Sequence, residues 1–210
     1  MQTQTLKFGD IDTIAWARQR LENEQVIAAP TDTVYGLFCR FDSPTALQRL
    51  YAAKKRPVDK AIPVLVSQLD QLAQIIPMPP PPIAYQLMAK FWPGPLTIIL
   101  EGLESLPGTL TADQKTIAIR MPNHQELCSL LDITGPLAAT SANISDGPET
   151  HSVTEVLAQL SGRIPLVLES DQIKMTEAPA STIIDLCNKD HPRILRPGPI
   201  AEAVQRELNL

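Results

Sequence analysis

Apolar runs of strand length in this chain stop, one after another, at short polar or cationic clusters. The run 26–29 leads into Pro30-Thr31-Asp32-Thr33-Val34-Tyr35-Gly36-Leu37, and the run 116–119 ends in Arg120. The run 137–139 leads to Ser141 and Asn143, while Ser181 and Arg196 flank two further short runs. Lys54-Lys55-Arg56-Pro57 sits where a helix gives way to the run 62–66. Intermingled strands and helices define an α/β chain with a mixed sheet, and such sheets offer ligands the ends of their strands. Glycine is scarce in these clusters, so side chains rather than a glycine loop must hold any anion there. The residue types suit phosphate oxygens and a small carboxylate.

Local signals place the elements between the clusters. Ile11, Ile14, Ala15, Ala17 and Leu21 recur at helical spacing, which predicts a helix over 10–22. Ser43-Pro44 is a helix start, serine as N-cap and proline in the first turn, for a helix running to Lys54. Helices are also predicted over 67–75, 83–91, 125–131, 153–160 and 200–208. Strands are predicted over 26–29, 62–66, 96–100, 116–119, 136–139, 165–168, 182–186 and 193–195. The proline run 77–82 can enter neither a helix interior nor an inner strand, and reads as a rigid surface connector.

Composition excludes several classes. With 44% hydrophobic and 20% charged residues over 210 positions, the chain reads as one soluble globular domain, 1–210. The polar stretch 1–10 has no apolar signal-peptide core, and no apolar run approaches membrane-span length. Three widely spaced cysteines, Cys39, Cys128 and Cys187, suggest a reducing, cytoplasmic setting rather than a disulfide frame. The net charge of −5 argues against a protein that grips long nucleic acid. Phosphate-loop, dinucleotide, zinc-protease and nucleophile-elbow motifs are absent. His124, His151 and His191 fall in loops or helix starts and read as exposed, which leaves no basis for a triad or a metal site.

Each cluster has a bland reading as well as a chemical one. The 30–37 segment could be a threonine- or Asx-capped turn. If it is extended, Thr33 and Tyr35 share one side and both hydroxyls face one ligand. Lys54, Arg56 and Lys60 complement a helix C-terminus, yet Pro57 and the following strand hold them near a sheet edge. Thr116 and Arg120 lie four apart on one strand face. Ser141 and Asn143 put a hydroxyl and an amide on one side.

Read together, PTDTVYGL (30–37), KKRPVDKAIPVLV (54–66), WPGPLTIIL (92–100), TIAIRMP (116–122), PLAATSANIS (136–145), STIIDL (181–186) and RILRPGPI (193–200) resemble the YrdC-like family of L-threonylcarbamoyladenylate synthases. The resemblance implies a twisted mixed sheet flanked by helices around a concave basic cleft, in the short single-domain form. It implies a nucleotidyltransferase that joins L-threonine, bicarbonate-derived CO2 and ATP into threonylcarbamoyl-AMP, with Mg2+ carried on ATP. By the family pattern Thr33, Tyr35, Arg120, Ser141 and Ser181 hold threonine. Arg56, Lys60, Thr116, Asn143 and Arg196 hold ATP, and Lys54 and Arg56 serve the chemistry. The pattern departs at Leu65, where many members carry a histidine. One residue inserted before Gly147 leaves the next ATP contact on Thr150 or Ser152. Asp32 is expected to point away or cap its turn, because a carboxylate beside the threonine amine would keep it protonated. A downstream threonylcarbamoyl transferase complex is the implied partner, with a weak tRNA contact left open. An RNA-binding module of the same fold, and a paralogue with another carbamoyl or nucleotide substrate, are the competing readings.

Overall fold

The computed structural model describes residues 2–171, 179–188 and 191–208. Two strands were not foreseen. β1 (Gln4–Lys7) has Leu6 as its one apolar residue, and it forms only as the sheet's outer edge against β8 (Leu166–Glu169). β3 (Gly36–Arg40) was hidden inside the polar motif, because the chain turns at 31–34 and becomes extended only at Gly36. The foreseen strands are β8 together with β2 (Ile27–Ala29), β4 (Val64–Leu65), β5 (Leu96–Glu101), β6 (Thr116–Arg120), β7 (Leu137–Ser141), β9 (Thr182–Asp185) and β10 (Arg193–Arg196). All join one mixed sheet in the order β1-β8-β2-β3-β7-β4-β6-β5-β9-β10.

The helices are α1 (Ile11–Glu22), α2 (Pro44–Lys54), α3 (Pro82–Phe91), α4 (Gly108–Thr111), α5 (Gln125–Thr134), α6 (Val153–Leu160) and α7 (Ala201–Leu208). At the start of α2 the Ser43 hydroxyl accepts from Ala46 N at 3.1 Å, as its sequence predicts. The helix expected over 67–75 is instead a 3-10 helix, Leu69–Gln74, whose entry lacks a side-chain cap. None of these helices is long and apolar enough to cross a membrane.

Alternation along the strands splits the core in two. Leu37, Cys39, Val64, Ile98, Ile119, Ala138 and Ile184 point to one face, where α2, α3, α6 and α7 cover them. Ile27, Ala29, Phe38, Leu65, Leu137, Ala139, Leu166 and Leu168 point to the other, where α1 and α5 contribute Ala17, Leu21, Leu127, Leu130 and Leu131. Each fully buried leucine contributes about 1.5–3 kcal/mol. The second cover reaches only part of its face. Beyond it, the middle of the sheet is open, and the polar clusters gather there.

Candidate active site

A cavity of about 380 Å3 lies on that uncovered face. Its floor is laid down two residues at a time by the strand period. Gly36 and Phe38 come from β3, Ala139 and Ser141 from β7, Pro63 and Leu65 from β4 and its entry. Ala118 and Arg120 come from β6, Thr97 and Ile99 from β5, Ser181 and Ile183 from β9 and its entry. Register puts Leu65, Arg120, Thr97 and Ile183 side by side across four strands. Arg120 therefore stands in the middle of an otherwise largely apolar floor. No glycine loop is involved. Gly36 matters for packing instead, since a Cβ there would meet the Phe38 ring at 2.6 Å.

Arg120 is buried, and three of its nitrogens already donate to the protein. Nε bonds the Gly94 carbonyl at 3.0 Å, Nη1 the Thr33 hydroxyl at 2.9 Å, and Nη2 the Asp32 carboxylate at 2.5 Å. Asp32 stays off the cavity, as expected of it, but it is held there by this pairing and not as a turn cap: a guanidinium taken out of water needs a counter-charge, and Asp32 supplies it. Burial lowers the Arg120 pKa against the opposing pull of Asp32, and a guanidinium stays charged in a folded protein. Thr33 is oriented by the turn before it. The Thr31 hydroxyl accepts from the backbone N–H groups of Thr33 and Val34, so the turn reading and the cavity reading of this segment are both correct.

A second polar set lies beside Arg120. The Ser181 hydroxyl is 2.7 Å from the Thr97 hydroxyl and accepts from Arg196 Nη2 at 3.1 Å, while Arg196 Nε donates to the Ser181 carbonyl. Thr97 was missed from sequence. The signal for it was its place at the head of an alternating strand, two residues before the inward-facing Ile99. Arg56 reaches the cavity with Nε and Nη2 on the carbonyls of Lys60 and Ala61, at 3.2 and 3.0 Å. Glu149 is the only carboxylate among the described lining residues.

Thr33, Arg56, Arg120, Ser141, Ser181 and Arg196 thus meet at one cavity. The other expected residues do not line it. Tyr35 is packed in the core with its phenol pushed up to about 12 by burial, since the turn at 31–34 breaks the alternation that would have aligned it with Thr33. Lys54 is buried beneath the cavity wall, its ammonium on the carbonyl and hydroxyl of Ser141 and on the carbonyl and side-chain oxygen of Asn143, at 2.6–3.2 Å. Burial, reinforced by Arg56, lowers its pKa to about 8. Lys54 therefore braces the Ser141–Asn143 segment from behind and does not line the cavity. Asn143 spends its amide on Lys54 and on the Gly147 carbonyl. Lys60 is exposed and lies 3.6 Å from Asp146. Thr116 shares the face of Arg120 but sits about 13 Å along the strand. Thr150 is fully buried with its hydroxyl on the Ala142 carbonyl, and Ser152 caps α6 through Glu155 N. Neither contacts the cavity.

His124 also overturns its expectation. It is 2% exposed, stacks on Phe8, and caps α5 with Nδ1 accepting from Leu127 N. Burial lowers its pKa. His151 is half-buried and His191 exposed.

Comparison with known proteins agrees with this architecture. The threonylcarbamoyl-AMP synthase of Bacillus subtilis is 37% identical over 191 residues, 90% of this chain and 54% of that protein. The same-named protein of Enterobacter sp. is 36% identical over 167 residues, 75% of this chain and 84% of that one. The structure of Pyrococcus abyssi Sua5 complexed with L-threonine superposes with a TM-score of 0.90 at 31% identity, covering 97% of this chain and 60% of that one. The chain spans about half the length of the Bacillus, Pyrococcus and Schizosaccharomyces pombe proteins that carry the synthase name. The Sua5/YciO/YrdC family model, described as telomere recombination, matches residues 19–198. With that match, and with the same sheet in its solved relatives, the chain belongs to the Sua5/YciO/YrdC family.

Proposed function

We propose that this chain forms L-threonylcarbamoyl-AMP from L-threonine, bicarbonate-derived CO2 and ATP, releasing pyrophosphate. The observation that carries the reading is the buried Arg120 fork, with Thr33, Thr97 and Ser181 beside it and Arg56 and Arg196 at the same cavity. Arg120 takes the amino-acid carboxylate through its remaining terminal N–H groups. The hydroxyls of Thr33, Ser141 and Ser181 surround the rest of a small polar amino acid.

The chemistry asks mainly for placement. The neutral threonine nitrogen attacks CO2 to give a carbamate and a proton. A carbamate oxygen then attacks the α-phosphorus in line, the bond to the β-phosphate oxygen breaks, and pyrophosphate leaves. Arg56 and Arg196 neutralise charge on the phosphates as it shifts to the leaving group. Asp32 does not oppose the first step, because its charge is matched by Arg120 and it does not line the cavity. Mg2+ arriving on ATP phosphates would need few protein carboxylates, and Glu149, which lines the cavity, would be the residue to supply one. Lys60 and Thr116 extend the nucleotide side beyond the cavity. The product is a reactive mixed anhydride, which suits delivery to a threonylcarbamoyl transferase acting on tRNA.

Pyrophosphate release from ATP and bicarbonate tests the reading, comparing L-threonine, L-serine and no amino acid. Threonine-dependent release is expected, with serine about 10–200-fold poorer for want of one methyl. Folded, ATP-binding protein that shows no threonine dependence overturns it.

A further inference from the structure

We infer that Asp32 is the resident counter-ion of Arg120: it aims the guanidinium at the cavity and sets how tightly the site holds a substrate carboxylate. The inference rests on the reading of Arg120 as the carboxylate receptor. A guanidinium carries five N–H donors. One from each nitrogen is committed, to Gly94, Thr33 and Asp32, which leaves one on each terminal nitrogen. The Asp32 side chain is 11% exposed and the Arg120 side chain 8%, yet only Arg120 lines the cavity. Asp32 therefore backs the guanidinium from outside the cavity, in line with its turn, and the two open donors are left for a ligand.

Two consequences follow from charge. Without a ligand the pair is neutral, so a cation can stay buried in an empty site. With a ligand, two carboxylates share one guanidinium and repel each other through it. Binding is then weaker than to an unpaired arginine, which suits a substrate that must be turned over rather than retained. Asp32 is thus a positioning residue that acts only through Arg120. A role in holding the turn alone would not make carboxylate affinity depend on its charge. The turn has its own ties, in the bonds from Thr33 and Val34 to the Thr31 hydroxyl.

The test is thermal unfolding and titration with L-threonine for the wild type, Asp32→Asn and Asp32→Glu. Asp32→Asn is expected to melt lower without ligand and to gain a larger threonine-induced rise than the wild type. Its threonine dissociation constant should fall about tenfold while turnover drops. Asp32→Glu, which keeps the charge, should restore the wild-type increment. An increment in Asp32→Asn equal to or below that of wild type overturns the inference, as does binding that weakens in step with turnover. If Asp32→Asn folds only with threonine in the buffer, the ligand has replaced the missing charge and the inference stands; failure to fold even then overturns it. Wild-type protein that threonine does not stabilise defeats the proposed function instead. The increment is then read with acetate, and a larger effect on Asp32→Asn than on wild type still supports the counter-ion.

Discussion

The floor of the cavity and its rim are both cationic, but they hold their charge differently. On the floor, Arg120 is buried, paired with Asp32 and tied at three nitrogens, and Lys54 below the Ser141 wall is held by four oxygens. At the rim, Arg56 rests on two backbone carbonyls, Arg196 donates to the Ser181 carbonyl and hydroxyl from an exposed position, and the exposed Lys60 lies 3.6 Å from Asp146. Floor charges are costly to bury, so each is fixed by partners and its geometry is preset. Rim charges lack a buried counter-ion and are less completely tied, and Lys60 among them is open to solvent. A fixed floor suits the small acid whose orientation decides the reaction, and a looser rim suits a flexible triphosphate.

The largest effect should follow from breaking the floor at Arg120. Arg120→Met leaves the Asp32 carboxylate buried and unpaired, a loss of about 3–5 kcal/mol in stability. Threonine-dependent pyrophosphate release should fall at least about a hundredfold. Chemical denaturation and steady-state assays check the two parts. Loss of activity with unchanged stability would show that the Asp32 pair is not an energetic unit of the floor.

Lys54 gives the next effect, and it separates stability from activity. Lys54→Met withdraws the ammonium from four oxygens, of which the Ser141 carbonyl keeps the Asn143 N–H, and should cost about 1–3 kcal/mol. Its pKa of about 8 lies below the ordinary 10.5 because of burial first and Arg56 second. Between those two values the folded chain binds fewer protons than the unfolded one, so this group's contribution to stability rises with pH across that window. Activity should move the other way. Above about pH 8 the neutral amine keeps two N–H donors for four oxygens, and the Ser141–Asn143 wall loosens. Melting temperature and turnover measured from pH 7 to 10 should therefore diverge in the wild type and lose that divergence in Lys54→Met.

At the rim, Arg56→Ala should reduce synthesis at least about tenfold, roughly 1.4 kcal/mol of transition-state stabilisation, with the fold intact. The loss should fall on the ATP side, as a raised KM for ATP more than for threonine. An equal rise in both would place Arg56 with the floor.

Sequence reached the rim and the outline of the floor more easily than the floor's internal bonds. Helix α2 was readable from Ser43-Pro44, and the face of Arg120 from its spacing along β6, because both signals are local. The Asp32–Arg120 pair joins residues 88 apart, and nothing in either neighbourhood announces it. Tyr35 was misplaced because period-2 reasoning was carried through a turn that the Thr31 hydroxyl creates. His124 was misplaced because its cover, Phe8, comes from the far end of the chain. Lys54 and Lys60 look alike in sequence. They differ because Lys55, left-handed at φ 53, closes α2 after Lys54 has turned inward, and Lys60 lies on the exposed loop beyond.

That pair of lysines gives the smallest and most diagnostic expectation. The Lys60 and Asp146 side chains are 48% and 81% exposed. An ion pair so open contributes well under about 1 kcal/mol, and a cation there acts on phosphates through screened solvent. Lys60→Ala should leave the melting temperature unchanged and raise the KM for ATP by less than about threefold at low salt. The increase should vanish near 0.5 M salt, where the screening length is only a few ångströms. Asp146→Asn should have the opposite and equally small effect on ATP, by releasing Lys60 to the ligand. A loss in Lys60→Ala as large as that in Arg56→Ala, and resistant to salt, would mean that the loop closes over the nucleotide and buries this lysine. The rim would then become floor once the substrate is bound, and the contrast between the two would hold only for the empty protein.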